Sequence, residues 1–373
     1  TESGIEASGI GITCANINGA QISGRRNIII NGAAMVAQRG DTTSGSTTGG
    51  YATDRFQCVM NESGTLTISQ DSAAPSGFRK CHRLTQTTAQ GSLAANDLTT
   101  FRYNAEGYDV QRFKKGTSDA EQFTVSFWVK SVDQSSYPVT YILELRDPVN
   151  TRSCCKSYTV TASNTWEYKT ITFPADTTGQ WATDNSKALE MNWFVAAGSN
   201  YTSGTLSTTW AGTVTANRAP GLTANLSANT ANRFFLTGVQ LEVGPVATPF
   251  EHRSFGDELR RCQRYYQRWK GHSDHNGIGP GRGNGSAGVF VSVNLMQCLR
   301  ATPSITNSGI VVFKAGSSST STTDTPSLTS ASAYDATSCM FPMSITGLSG
   351  ITNNYGGYTV FLSSSDLQLD AEF

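Results

Sequence analysis

The sequence predicts an all-β fold: a jelly-roll β-sandwich followed by one short amphipathic helix and a smaller C-terminal β domain. Three observations predict it. Charged residues are 15% and apolar residues 38% of the chain, so Gly, Ser, Thr and Asn carry solubility, which suits many short strands joined by polar turns. Apolar residues alternate with period two in run after run. Only one stretch carries a convincing helical period.

Taken in order, the chain opens with isoleucines at Ile5, Ile10, Ile12, Ile17 and Ile22, and Ala15–Gly19 is echoed by Ala20–Gly24. That spacing fits neither a helix nor a flat strand. It suits a coiled or β-helical lead that buries Ile12, Ile17 and Ile22 against sister chains, or an extended linker. Residues 1–26 are therefore expected to be an attachment and oligomerisation segment. Asn27–Gly32 is a β-branched run closed by a turn pair, and 41–50 reads as a surface loop.

In Phe123–Lys130, Phe123, Val125, Phe127 and Val129 share one face, and Thr124, Ser126, Trp128 and Lys130 share the other. Val139–Arg146 alternates in the same way, so these two runs are candidates to pair. Further runs at 166–173, 189–197 and 234–242 complete a sandwich over residues 27–252.

Residues 253–271 hold the helix. Leu259, Cys262, Tyr266 and Trp269 form an apolar stripe over 256–269, Asp257 and Glu258 sit in the first turn, and Ser254 offers a cap. The stripe is expected to cover a sandwich edge or to pack against its copies in an oligomer. Residues 272–373 are expected to form the second β domain, with strands at 289–295, 310–313, 340–345 and 358–362.

A formal net charge of zero argues against a grip on a phosphate backbone, so nucleic acid is not an expected partner. No apolar run reaches membrane-spanning length, so membrane insertion is not expected, and the first residues lack the pattern of a signal peptide. Because the chain starts at Thr1, a longer polypeptide or processing is expected. Its eight cysteines include no Cys-x-x-Cys pair, and Cys154–Cys155 are adjacent, so buried reduced thiols are expected. Cys81–His82 is a single couple where zinc wants four ligands, and no cofactor is expected.

Gly283–Gly288 spells a dinucleotide-binding loop, but a strand follows where that motif needs a helix. His272, Asp274 and His275 enter a Gly-rich connection, which reads as a solvated loop rather than a metal site. There is no Gly-x-Ser-x-Gly elbow, and the carboxylates are scattered. Most tryptophans must be core, Trp193 above all. Trp128 and Trp181 have polar neighbours and are the candidates to stack on a sugar ring, against the alternative of burial under a loop. The basic residues Arg260, Arg261, Arg264, Arg268 and Lys270 read as a solvated helix face or as contacts to an acidic polysaccharide.

Several phrases together, Asn27–Ala33, Val36–Gly40, Tyr51–Phe56, Thr124–Lys130, Asp176–Trp181, Val239–Gly244, Ala247–Glu251 and Cys262–Tyr266 after Glu258–Leu259, resemble a family of phage virion proteins described as tail fibre or structural proteins. The closing Leu369–Phe373 is also similar. The resemblance implies a non-enzymatic virion-surface subunit on a tail or appendage, a homo-oligomer of trimeric fibre type. It would join other virion proteins through its N-terminal segment and present a surface to a host glycan. A capsid-decorating or head-fibre protein is the first alternative, and a polysaccharide depolymerase the second. The central domain is also similar to jelly-roll carbohydrate-binding modules, which implies Glu242 as a calcium ligand, although no calcium loop is spelled out. Where those modules often carry Trp after the early turn, this chain has Phe56.

Overall fold

The computed structural model describes residues 16–17, 20–21, 25–46, 48–270, 276–284, 288–308, 311–315, 319–323, 327–330, 339–348, 351, 356–361 and 366–373. Within them the chain is mostly strand, with a few short helices. One sheet of the sandwich runs Ala211–Gly212, Arg152–Val160, Val139–Asp147, Lys187–Ala197, Leu98–Glu106, Phe56–Asn61, Gly49–Tyr51. The facing sheet runs Glu167–Phe173, Phe123–Val132, Arg233–Val243, Cys81–Thr88, Thr65–Asp71, Thr42–Ser46.

Neighbours far apart in sequence, all antiparallel, give a jelly-roll sandwich. Alternate residues of both sheets fill its interior. Phe101, Phe127, Leu143 and Trp193 are fully buried, and the Phe127 and Trp193 rings meet edge to face at 5.8 Å.

Several sequence expectations change here. Phe123–Val132 and Val139–Asp147 do not pair; they lie in opposite sheets, because each turns its apolar face to the shared interior from its own side. A hydrogen bond of 2.7 Å between Ser131 Oγ and Tyr141 OH spans them. The loop expected at 41–50 contributes edge strands, Thr42–Ser46 to one sheet and Gly49–Tyr51 to the other.

Asn27–Asn31 is buried but forms no strand. The Asn27 side chain stands in for a ladder, accepting from the Ile29 and Leu241 amides and donating to the Val239 carbonyl.

The helix is shorter than its apolar stripe suggests. Phe255–Gln263 is helical, and Ser254 Oγ caps it by accepting from the Asp257 amide at 3.2 Å. Tyr266 and Trp269 fall instead on the strand Tyr266–Lys270, which pairs with Asp366–Asp370. Leu259 and Cys262 pack on Ile30, Val36 and Phe373 of the same chain, so this part of the stripe covers the sandwich.

Beyond the helix, Asp366–Asp370 joins Tyr266–Lys270 and Ser304–Ser308 in a three-stranded sheet. A further sheet runs Ser319–Thr323, Val311–Ala315, Gly356–Phe361, Asn276–Gly283, Gly288–Asn294, Met340–Thr346, Ser327–Ser330. Gly283 and Gly288 therefore end and begin paired strands, as the rejection of a dinucleotide loop requires. Residues 272–275 and the side chains of Ile12, Ile17 and Ile22 lie outside the described set, although Asn16–Ile17 pairs with Ala20–Gln21.

Residues 366–373 tie these sheets to the sandwich through charge. Arg55 and Glu372, 0% and 5% exposed at their side chains, form an ion pair, and the Arg55 guanidinium lies 3.3 Å from the centre of the Tyr265 ring. Arg268 holds Asp366 with contacts of 2.6–2.9 Å, and Arg300 donates to the Ala371 and Glu372 carbonyls.

The thiols divide. Cys298 and Cys339 form a disulfide, contrary to the expectation of reduced cysteines throughout; the fold brings the end of one strand and the start of its partner together. Cys58, Cys81, Cys154, Cys155 and Cys262 are free and buried. Burial pushes the Cys81 and Cys154 thiols up to about 12, which leaves them unreactive.

Candidate functional site: an aromatic strip on the outer face of the six-stranded sheet

The two outer faces of the sandwich differ in what they leave free. On the seven-stranded sheet the polar residues satisfy each other. Arg102 Nε donates to Asn192 Oδ1 at 2.6 Å, Asn192 Nδ2 to Glu144 Oε2 at 2.9 Å, and Arg218 forks onto both Glu144 oxygens at 2.6–2.7 Å. Leu206, Ala219 and Leu222 then pack over Ile142 and Phe194.

The six-stranded sheet instead presents rings. Alternation in Phe123–Val132 turns Trp128 outward, and the antiparallel register sets Tyr168 directly opposite it, with ring centres 5.4 Å apart. Tyr168 is 44% exposed and Trp128 half-buried. On the other side of Trp128, Arg233–Val243 bulges between Thr237 and Gln240, and Gly238 sits there at φ +63°. A Cβ at Gly238 would lie 2.7 Å from Phe78 Cζ and 3.1 Å from Trp128 Cδ1, so the glycine lets these rings close over the backbone.

Phe78 continues the strip to Phe250 and His252, at 5.1 and 5.2 Å between ring centres. A cavity of about 240 Å³ opens at that end, lined by Phe78, Phe250, His252 and Phe255 with Arg79 at its rim. Beside the strip, Trp166 meets Phe235 edge to face at 6.2 Å, and Lys130 Nζ lies 4.3 Å from the Phe235 ring centre. Trp166 Nε1 donates to the Ala73 carbonyl at 3.0 Å, which fixes the indole. Burial opposes charge on nearby Asp71, but the Ala73 amide and the Arg83 guanidinium outweigh it and hold the carboxyl below its ordinary range.

Chemically, the strip offers rigid ring faces and edges flanked by Lys130, Arg79, His252 and the Thr-rich outer surface of the sheet. Flat apolar rings beside convergent donors and acceptors match a sugar, whose C–H face packs on an aromatic while its hydroxyls take hydrogen bonds.

Of the two tryptophans singled out from sequence, Trp128 lies in this strip and Trp181 does not. Trp181 is 4% exposed, set edge to face with Trp210 at 6.1 Å, and its ring centre lies 4.9 Å from Lys115 Nζ. It roofs the buried Lys115–Asp147–Asp176 ion cluster at the wall of a separate cavity of about 360 Å³. Tyr168, Phe78, Phe250 and His252 were not singled out. Tyr168 alone had a local signal, its outward alternation against Ile171 and Phe173.

Glu242, the implied calcium ligand, has both oxygens engaged by the Thr248 amide, Thr248 Oγ1 and Gln240 Nε2, at 2.6–2.8 Å. That donor set suits a carboxylate locked to its own chain and does not fit a metal ion. Among the described residues, no group of three or more His, Cys, Asp or Glu is placed to hold a metal.

No protein-family model matches this sequence, and no curated protein matches it. Among solved structures, the chain is similar to the enzymatically active domain of tailspike protein 4 from bacteriophage CBA120, at 10% identity and a TM-score of 0.30. That match covers 58% of this chain and 21% of the tailspike chain, so this chain spans about a fifth of that structure's length. It is similar to a structure described under "CBM4 structure and function" at 9% identity and a TM-score of 0.30, over 57% of this chain and 97% of that one. The CBM22-1–CBM22-2 tandem domain from Paenibacillus barcinonensis Xyn10C matches at 10% identity and a TM-score of 0.27, over 89% and 97%. All three are distant likenesses.

Proposed function

We propose that this chain is a non-enzymatic, surface-displayed subunit of a phage particle that binds a glycan on the host envelope through the strip of Tyr168, Trp128 and Phe78. The observation that carries the reading is the strip itself. Three rings from three separate segments converge on one sheet face: register sets Tyr168 against Trp128, and a bulge with a left-handed glycine lets Phe78 close beside it. Keeping such rings at a solvent-facing surface has an obvious use in stacking on a ligand. The phage setting rests on the sequence phrases described above, and with it a tail or appendage location, trimeric assembly and attachment through the first residues.

The binding test uses an array of neutral and acidic bacterial-envelope oligosaccharides probed with the full chain and with Trp128→Ala and Tyr168→Ala. Each variant is expected to weaken binding about fivefold or more, from about 1–3 kcal/mol per lost stacking contact, while still unfolding cooperatively. Equal retention of all three proteins, or no retained glycan, would reject the strip as the site. Assembly has its own readout: light scattering is expected to give about three times the 39.9 kDa chain mass, and a stable monomer would refute the trimer.

A further inference from the structure

A second cavity, of about 390 Å³, lies where the helix Phe255–Gln263 meets the end of the strand Leu98–Glu106. Its lining is crowded with arginine. Arg264 is committed, forking onto Glu106 with two contacts of 2.8 Å, and Arg261 pairs with Asp257 at 3.2 Å. The guanidiniums of Arg25 and Arg260 line the same cavity and make no hydrogen bond or ion pair among the described residues. Partial desolvation and the neighbouring Arg261 and Arg253 guanidiniums lower the pKa of Arg25, against the opposing pull of Asp109 and Asp257.

Two further features say what kind of anion. Tyr265 lines the cavity at 0% exposure, and its hydroxyl has no hydrogen-bond partner, an unmet donor and acceptor at the wall. Tyr108, 62% exposed, stands at the rim as a free aromatic face. Four lining arginines against Glu106, Asp109 and Asp257 leave a single positive charge, so a dense polyanion would meet carboxylates as well as cations. A singly charged ligand rich in hydroxyls meets the donors, the acceptors and the ring together.

We infer that this cavity binds a carboxylate-bearing sugar residue, a uronic or ulosonic acid, with Arg25 and Arg260 on the carboxylate, Tyr108 against the ring and Tyr265 and Asp109 on hydroxyls. The inference shares the glycan-binding reading of the sandwich but rests on a different site, so the two can fail separately.

The test measures affinity by calorimetry for oligosaccharides carrying glucuronic, galacturonic or sialic acid and for their methyl esters, using the full chain. The expected result is that at least one acid binds, that its methyl ester binds at least tenfold more weakly, and that Arg25→Ala and Arg260→Ala each lose at least tenfold. Trp128→Ala is expected to leave the preference for acid over ester unchanged, whatever it does to the overall affinity. Neither guanidinium has a hydrogen-bond or ion-pair partner among the described residues, so the variants are expected to melt with the wild type. Tyr265→Phe adds a check that removes one hydroxyl and leaves the packing in place, with a loss of at least threefold expected. The inference is overturned if no acid is preferred over its ester, or if the arginine variants bind as well as wild type. Loss of that preference in Trp128→Ala alone would move the site to the strip and likewise overturn it.

Discussion

Replacing Glu372 with Gln tests how the last described residues are held to the sandwich. Arg55 is fully buried and Glu372 nearly so, and their ion pair is joined by a hydrogen bond of 2.5 Å from Arg55 Nη2 to the Asn104 carbonyl. Arg39 adds a second, longer contact to Glu372 at 3.8 Å. Glutamine keeps the shape and one acceptor but strands the guanidinium charge, and breaking a buried pair from one side costs about 3–5 kcal/mol. Taking about 3 kcal/mol for this conservative change, and the usual unfolding entropy per residue over 373 residues, the melting temperature should fall by about 4 °C. Calorimetric melts at low salt and at about 0.5 M salt should show the same loss, because a buried pair is little screened. The double variant Arg55→Met with Glu372→Met should recover most of it, since it leaves no charge stranded. A Glu372→Gln melt within about 1 °C of wild type, or a loss that disappears in salt, would refute the reasoning.

Three further outcomes follow from particular contacts. Lys115 Nζ is held by Asp147 at 2.6 Å, Asp176 at 3.2 Å and the Thr178 and Gly179 carbonyls at 2.9 and 2.6 Å. Lys115→Met should therefore lower the urea midpoint by the equivalent of about 3–5 kcal/mol, and an unchanged midpoint would contradict that role. His82 is buried, and desolvation lowers its pKa to about 3 from an ordinary 6.5. The unfolded chain thus binds the extra proton between those values, and stability is lost as pH falls from 6.5 towards 3, by up to about 4 kcal/mol. His82→Gln should flatten that part of the stability profile, and curves of equal slope for both proteins would show that His82 is not its source. Gly238→Ala puts a methyl group 2.7 Å from Phe78 Cζ at a positive φ, so it should cost about 1–3 kcal/mol and weaken glycan binding more than an exposed Gly256→Ala control. Binding equal to the control would mean that closure of the rings over the bulge does not matter.

The strands were legible because burial of one face imposes period two, and Phe123, Val125, Phe127 and Val129 carry that signal by themselves. Their partners were not, since Val139–Asp147 shows the same alternation and nothing local says that the two face each other from opposite sheets. The helix start was written in Ser254 and the acidic first turn. Its end was not, because Tyr266 and Trp269 continue a helical spacing and lose it only to a ladder with Asp366–Asp370, about a hundred residues away. Trp128 could be picked as outward-facing from its neighbours in the strand. Trp181 looked similar, with polar neighbours in sequence, but Trp210 and Lys115 bury it through contacts that no local pattern encodes. The strip's remaining members, Phe78, Phe250 and His252, come from loops, with Phe78 joined to Trp128 over Gly238 and the other two packed on Phe78.

The most direct test of glycan binding at the strip is an NMR titration of the tryptophan indole N–H signals with the oligosaccharide best retained on the array. The Trp128 indole should shift in proportion to saturation, while those of the core residues Trp193 and Trp181 should stay in place. Saturation with no movement of the Trp128 signal would contradict the placement of the ligand on this face.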